Sequence, residues 1–226
     1  PLHVFDADKV HGDIRVRSAD EGETILALDG KEYAPEPGMT VIADDKGPEG
    51  IGGRMGGEVS GCTGETVNVF VEAAFFDPDR TAATGRMLKI NSDARYRFDR
   101  GVDPASCAWG IELATRLILE LCGGEPSEVV QAGEIPDFRG TYPLDPERVV
   151  SLVGMDIPRD VQLKTLRDLG FDVAEGDPIM VTAPSWRPDV MGSADLVEEV
   201  ARIASLTKLK GAPLPVPPGV AKPVLT

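Results

Sequence analysis

The first half of the chain carries short pieces rich in strand-forming residues. Ile14-Arg15-Val16-Arg17 alternates apolar and charged positions, and Thr24-Ile25-Leu26-Ala27-Leu28 runs into Asp29-Gly30, a pair that favours a hairpin turn. Further strands are predicted at Thr40 to Ala43 and Asn68 to Glu72. A helix then follows: Asp103 is a suitable N-cap, Pro104 suits the first helical position, and Ile111, Ala114, Ile118 and Leu121 share one face. Gly123 would end it in the left-handed conformation, and the apolar face should pack on a sheet. Strands with a long helix imply α+β, or mixed α/β, layers.

The stretch Gly133-Glu134-Ile135-Pro136-Asp137-Phe138-Arg139-Gly140 has neither hydrophobic period and places Pro and Gly as a linker would, so a domain boundary is expected near 140. Beyond it, Val161 to Leu169 reads as a helix stopped by Gly170. Strands are expected around Phe171 to Val173 and Ile179 to Thr182, joined by an Asp177-Pro178 turn. A last helix would be capped by Ser193 and would bury Leu196, Val197, Val200 and Ile203. This helix, strand, strand, helix order suggests a small winged-helix-like module over 141–212, with a proline-rich connector over 213–226.

At 226 residues and 42% apolar content, the chain can bury a core in one large or two ordinary domains. Cys62, Cys107 and Cys122 have no metal-ligand spacing, and an odd number argues against a disulfide framework, so a reducing, cytoplasmic setting is expected. No apolar run is long enough to span a membrane, and the start at Pro1, without Met, suggests a piece of something longer. Charge is uneven. Residues 1–140 carry 14 basic and 26 acidic side chains (14 − 26 = −12), and 141–226 carry 9 and 12 (−3), for −15 in all.

Inside this acidic chain, Arg80, Arg86, Lys89, Arg95, Arg97 and Arg100 face only Asp93 and Asp99 between residues 80 and 100, a local +4 (6 − 2). Screening over about 8 Å at physiological salt lets such a cluster meet a polyanion despite the total charge. Mutual pairing of these charges on a solvated face is the other reading.

Four places offer candidate chemistry. Gly52-Gly53-Arg54-Met55-Gly56-Gly57-Glu58 lacks the spacing of a nucleotide-binding motif, but its glycines would let backbone approach a ligand, or simply make a turn. Glu72 is the one carboxylate in the apolar run Val69 to Phe76, so it either needs a partner or ligand, or turns to water at a strand end. His3 is one of only two histidines, the other being His11, and no Ser-His-Asp arrangement is visible. Finally, Pro184-Ser185-Trp186-Arg187-Pro188-Asp189 precedes Asp195, Glu198 and Glu199, which share one side of a helix. Their repulsion would be relieved by a cation such as Mg²⁺ or by the positive end of the helix dipole.

Read together, Pro1-Leu2-His3-Val4-Phe5-Asp6, Met55-Gly56-Gly57-Glu58, Asn91 through Pro104, Pro184 through Asp189 and Asp195 through Val200 resemble the beta subunit of bacterial phenylalanyl-tRNA synthetase. The resemblance covers the B3/B4 editing domain (1–140) and the B5 domain (141–212). It implies post-transfer editing, the hydrolysis of tyrosine mischarged onto tRNA(Phe), and places His3, Gly56, Glu72, Ser92 and Ala94 in the editing pocket. Ser92 stands where many members have Thr. The implied reaction is ester hydrolysis by a water that His3 and the terminal adenosine hydroxyls position. The resemblance further implies Mg²⁺ at Asp189, Asp195, Glu198 and Glu199, in a site shared with the alpha subunit. The implied partners are tRNA(Phe) and an alpha subunit, which carries ATP-dependent activation, in an assembly of two alpha and two beta subunits. The alternative is a fragment that binds RNA and assembles subunits without catalysis.

Overall fold

The computed structural model describes residues 2–209, 211, 213–215 and 219. These form two compact units, one running up to Phe138 and including Ser185–Pro188, the other taking in the remainder from Arg139. Most of the expected proline-rich connector lies outside the described residues.

In the first unit the strands are β1 (Leu2–Asp6), β2 (Arg15–Ser18), β3 (Ile25–Leu26), β4 (Glu32–Tyr33), β5 (Thr40–Ala43), β6 (Pro48–Ile51), β7 (Met55–Gly56) and β8 (Val69–Ala73). Helices α1 (Pro78–Met87), α2 (Asp93–Phe98) and α3 (Ser106–Cys122) follow. Strands β2, β5, β6 and β7 make an antiparallel sheet in that order, β3 and β4 form the hairpin over Asp29-Gly30, and β1 pairs with β8. Phe5, Ile42, Phe76 and Phe98 form one buried cluster, and Ile25, Ile51 and Ile90 another.

Helices α1 and α2 pack together, and neither has an apolar stripe to announce it. The buried positions of α1 are Thr81, Thr84 and Gly85; what starts the helix is Asp77, which accepts from the Arg80 N–H at 2.8 Å, with Pro78 in the first turn. α2 is a turn and a half, capped by the Ser92 hydroxyl, and buries only Phe98.

α3 departs from expectation at both ends. Asp103 caps a preceding turn, accepting from the Ala105 N–H at 3.0 Å, and the helix begins three residues later at Ser106. Gly123 ends it at φ 75° and ψ −159°, which lies outside the left-handed helical region. The helix packs on β8 with Ile111, Ala114 and Ile118 half-buried, but no residue of α3 is buried and Leu121 is 79% exposed. Trp109, Leu113 and Leu117 are exposed on its outer side.

The second unit consists of β9 (Thr141–Leu144), α4 (Glu147–Val153), α5 (Arg159–Asp168), β10 (Asp172–Ala174), β11 (Ile179–Thr182) and α6 (Ser193–Ser205). Its antiparallel sheet runs β10-β11-β9, so a strand and a helix precede the predicted four elements. Val149, Leu166, Val181, Leu196, Val197 and Val200 are wholly buried in one core, each such side chain contributing about 1.5–3 kcal/mol. The buried Gln162 amide donates to the Ile157 and Pro146 carbonyls, at 2.8 and 3.2 Å, tying α5 to the segment before α4.

Two expectations for α6 need correction. Its N-cap is Gly192, with no side-chain capping hydrogen bond, so Ser193 does not cap; the Asp195 carboxylate instead reaches back to accept from the Met191 N–H, ahead of the helix, at 2.8 Å. The buried stripe continues through Ala201, whereas Ile203 is 51% exposed. The whole is mixed α+β, with a sheet-and-helix region followed by a smaller unit of sheet and helices.

Candidate functional site

His3 on β1 and Glu72 on β8 stand directly opposite in the antiparallel register, so both side chains leave the same face of the strand pair. Along β1 the His3 ring meets Phe5 edge to face, with centroids 4.4 Å apart. Beneath it lies Gly56 at the end of β7. A Cβ on that residue would sit 2.2 Å from His3 Cε1 and 2.5 Å from Nε2, so only glycine leaves room for the imidazole.

These three residues border a cavity of about 210 Å³ whose floor is the buried aromatic cluster. Ile42, Phe76, Ala94 and Phe98 line it, as do Leu28, Ile51, Arg54 and Met55. A larger hollow of about 440 Å³ is open to solvent on α3 among Trp109, Glu112, Leu113 and Arg116; it holds none of the candidate residues.

The polar groups of the smaller cavity are short of partners. Glu72 is only partly buried as a residue, yet its Oε2 is sealed from solvent and makes no hydrogen bond. Burial pushes its carboxyl from 4.5 up to about 7. His3 Nε2 is likewise buried and unpartnered, and burial holds its pKa below the usual histidine value, so the ring is neutral near pH 7. One wall thus offers a buried acceptor and a neutral imidazole, both unengaged, in otherwise apolar surroundings.

Ser92 is not in the cavity lining. Its hydroxyl donates to the Arg54 carbonyl at 2.7 Å and accepts from the Arg95 N–H at 3.1 Å, capping the helix that brings Ala94 to the cavity. The structure therefore gathers His3, Gly56, Glu72 and Ala94 around one space, with Ser92 behind it. Arg54, Phe76 and Phe98 were not among the residues singled out by sequence. The glycine-rich segment was the only pointer to Arg54, and nothing local pointed to the two phenylalanines.

The local charges divide. The Arg95 guanidinium donates to Asp99 at 3.0 Å and to the Gly85 and Ile90 carbonyls at 3.1 and 2.6 Å. Desolvation acts to raise Asp99, but the hydrogen bond from Arg95 and the charge of the nearby Arg54 guanidinium outweigh it and hold the carboxyl below its ordinary value. Arg100 stacks on Tyr96 at 3.7 Å from the ring centre.

In the second unit the four acidic candidates are not gathered into one site. Asp195 accepts from the Met191 N–H at 2.8 Å, Glu199 pairs with Arg202 at 2.7 Å, and Asp189 and Glu198 are exposed. No group of three or more His, Cys, Asp or Glu side chains among the described residues is arranged to hold a metal ion, so these side chains do not by themselves fit a bound Mg²⁺. No helix among the described residues is long and apolar enough to cross a membrane.

Comparison with known proteins agrees with this division. Residues 1–123 match the B3/4 domain family, and residues 142–205 match the tRNA synthetase B5 domain family. Over 227 aligned residues the chain is 63% identical to the phenylalanine-tRNA ligase beta subunit of Ruegeria pomeroyi, 60% to that of Cereibacter sphaeroides and 56% to that of Paramagnetospirillum magneticum. Each alignment takes in 100% of this chain and 28% of the relative, so the chain spans little more than a quarter of their length. The chain belongs to the phenylalanine-tRNA ligase beta-subunit family, from which it carries a B3/4 domain followed by a B5 domain.

Proposed function

We propose that the cavity between β1, β7, β8 and α2 is an editing pocket that hydrolyses the ester of tyrosine wrongly attached to tRNA(Phe). The observation that carries this reading is the sealed, unpartnered Glu72 Oε2 in an apolar cavity. A phenolic hydroxyl would supply the missing hydrogen bond, whereas phenylalanine would leave the acceptor buried and unpaired. Sites built around such a bond discriminate by factors of about 10⁴–10⁵.

In this pocket Glu72 selects, and Gly56 and Ala94 leave space for the ring and the RNA terminus. His3, neutral and with Nε2 free, positions the attacking water. No covalent intermediate is required. The Ser92 hydroxyl acts through the helix it caps, since both of its hydrogen bonds are to backbone. A deacylation assay with Tyr-tRNA(Phe), run on this chain and on the full-length ligase beside Glu72→Ala and His3→Ala, tests the reading. The expected result is release by the parent and loss in both variants; no release by either parent would sink it.

The wider role follows from the relatives' names: a beta subunit working with an alpha subunit and tRNA(Phe) in a phenylalanine-tRNA ligase. A Mg²⁺ ion at Asp189, Asp195, Glu198 and Glu199 would need ligands from the alpha subunit and release of Glu199 from Arg202. Mg²⁺ titration of the assembled enzyme beside Glu198→Gln checks this. The exposed apolar side of α3, with Trp109 54% exposed, favours a second reading in which the piece serves assembly without catalysis. The same deacylation assay separates the two.

A further inference from the structure

Arg54 is the largest fully buried side chain among the described residues, with 0% of its side chain exposed. Burying a guanidinium is expensive, and an apolar residue of similar volume often serves stability as well or better. Its compensation here is thin. Asp99 Oδ1 lies 2.9 Å from Nη2, but Nε, Nη1 and Nη2 make no well-formed hydrogen bond, and the other oxygen of Asp99 is taken by Arg95. Two guanidiniums thus share one carboxylate (2 − 1 = +1).

The placement is more telling than the charge. The Arg54 carbonyl accepts from Ser92, the N-cap of α2, while its guanidinium faces Asp99, the C-cap of the same helix. One residue therefore grips α2 at both ends. The guanidinium also lies on α1 at Gly85, where a Cβ would come within 2.4 Å of Nη1 and 2.5 Å of Cζ. Two residues further along the chain, Gly56 supplies the wall under His3. The opposite wall comes from Ala94 and Phe98, both on α2.

We propose that Arg54 is a positioning residue of the pocket: by clamping α2 at both caps it sets the distance between the Ala94 wall and the Glu72 wall, and with it the discrimination between a phenol and an unsubstituted ring. This rests on the editing-pocket reading and adds to it a residue that acts through the helix it holds. A misplacement of about 1 Å in such a site costs on the order of 10²-fold, so loosening the clamp should degrade selectivity well before it unfolds the domain.

The test uses the full-length ligase containing this chain, with Arg54→Met, Arg54→Lys and Gly85→Ala. Hydrolysis of Tyr-tRNA(Phe) and Phe-tRNA(Phe) is measured as kcat/KM, together with Tm. Arg54→Met and Gly85→Ala should each lower the Tyr-to-Phe ratio by roughly tenfold or more, and Arg54→Lys should restore part of it. Adding Gly85→Ala to Arg54→Met should change the ratio no further, because the new methyl group no longer meets a guanidinium. An unchanged ratio in the folded variants, with both esters slowed alike, overturns the proposal and leaves Arg54 a purely structural residue. Should Arg54→Met fail to fold, Gly85→Ala and Arg54→Lys decide by the same ratio. A parent enzyme that does not hydrolyse Tyr-tRNA(Phe) instead overturns the editing-pocket reading beneath it.

Discussion

Replacing Glu72 by glutamine should make the chain more stable in mildly alkaline solution and hardly change it in acid. The folded protein holds the Glu72 proton up to about pH 7, whereas the unfolded chain releases it near 4.5. Between those values the folded state binds more protons, so stability falls as pH rises, and the loss is complete above about 7. A separation of about 2.5 pH decades at ~1.4 kcal/mol each sets the loss at about 3.5 kcal/mol, an upper bound because part of the residue reaches solvent. Glutamine keeps the shape and does not titrate. The stability of Glu72→Gln minus that of the parent should therefore be small at pH 4.5 and rise by up to about 3.5 kcal/mol by pH 8. His3 contributes in the opposite direction on the acid side, losing stability as pH falls below its unfolded value, but it is present in both proteins and cancels. Urea unfolding at several pH values, followed by Trp109 fluorescence in a Trp186→Phe background, measures the difference in the unit that holds the pocket. A difference that stays flat across this range would refute the reasoning and mean that the carboxylate is solvated or already paired.

Other perturbations have equally definite outcomes. Gly56→Ala places a methyl group on the His3 ring and should abolish Tyr-tRNA(Phe) deacylation in the full-length ligase while leaving circular dichroism unchanged. Ser92→Ala removes the cap of α2 and should cost about 1 kcal/mol in chemical denaturation, with Ser92→Thr restoring most of it. Leu196→Ala should cost about 2–5 kcal/mol in the second unit, read as a lowered Tm of the corresponding transition, and should leave deacylation untouched.

Strands β2, β3, β5, β8, β10 and β11, and helices α5 and α6 of the second unit, were legible in the sequence because their strand-forming or apolar positions mark the element, whereas β1, β4, β6, β7 and β9 were not expected. Helices α1 and α2 were not, since α1 buries Thr81, Thr84 and Gly85 and α2 buries Phe98 alone. Their signals were the caps, Asp77 with Pro78 and Ser92 with Asp93, which mark a helix start without needing an apolar stripe. The exposed outer side of α3 was hidden because Trp109, Leu113 and Leu117 add apolar positions outside the face that packs on β8. Glu72 stood out as one acid among apolar neighbours, and the ladder explains why it could be found. Its opposition to His3, by contrast, is set by a pairing between distant segments, and no local pattern encodes it.

That pairing also fixes when the site can exist. His3 and Glu72 are 69 positions apart (72 − 3), and bringing such distant segments together costs about 4 kcal/mol in chain entropy before any contact compensates for it. Everything between them, the four-stranded sheet included, lies inside that loop. The pocket is thus assembled only when β1 closes onto β8, and is not inherited from any single hairpin or helix. An emerging chain would therefore hold its glycine-rich wall before it could hold the His3 and Glu72 wall.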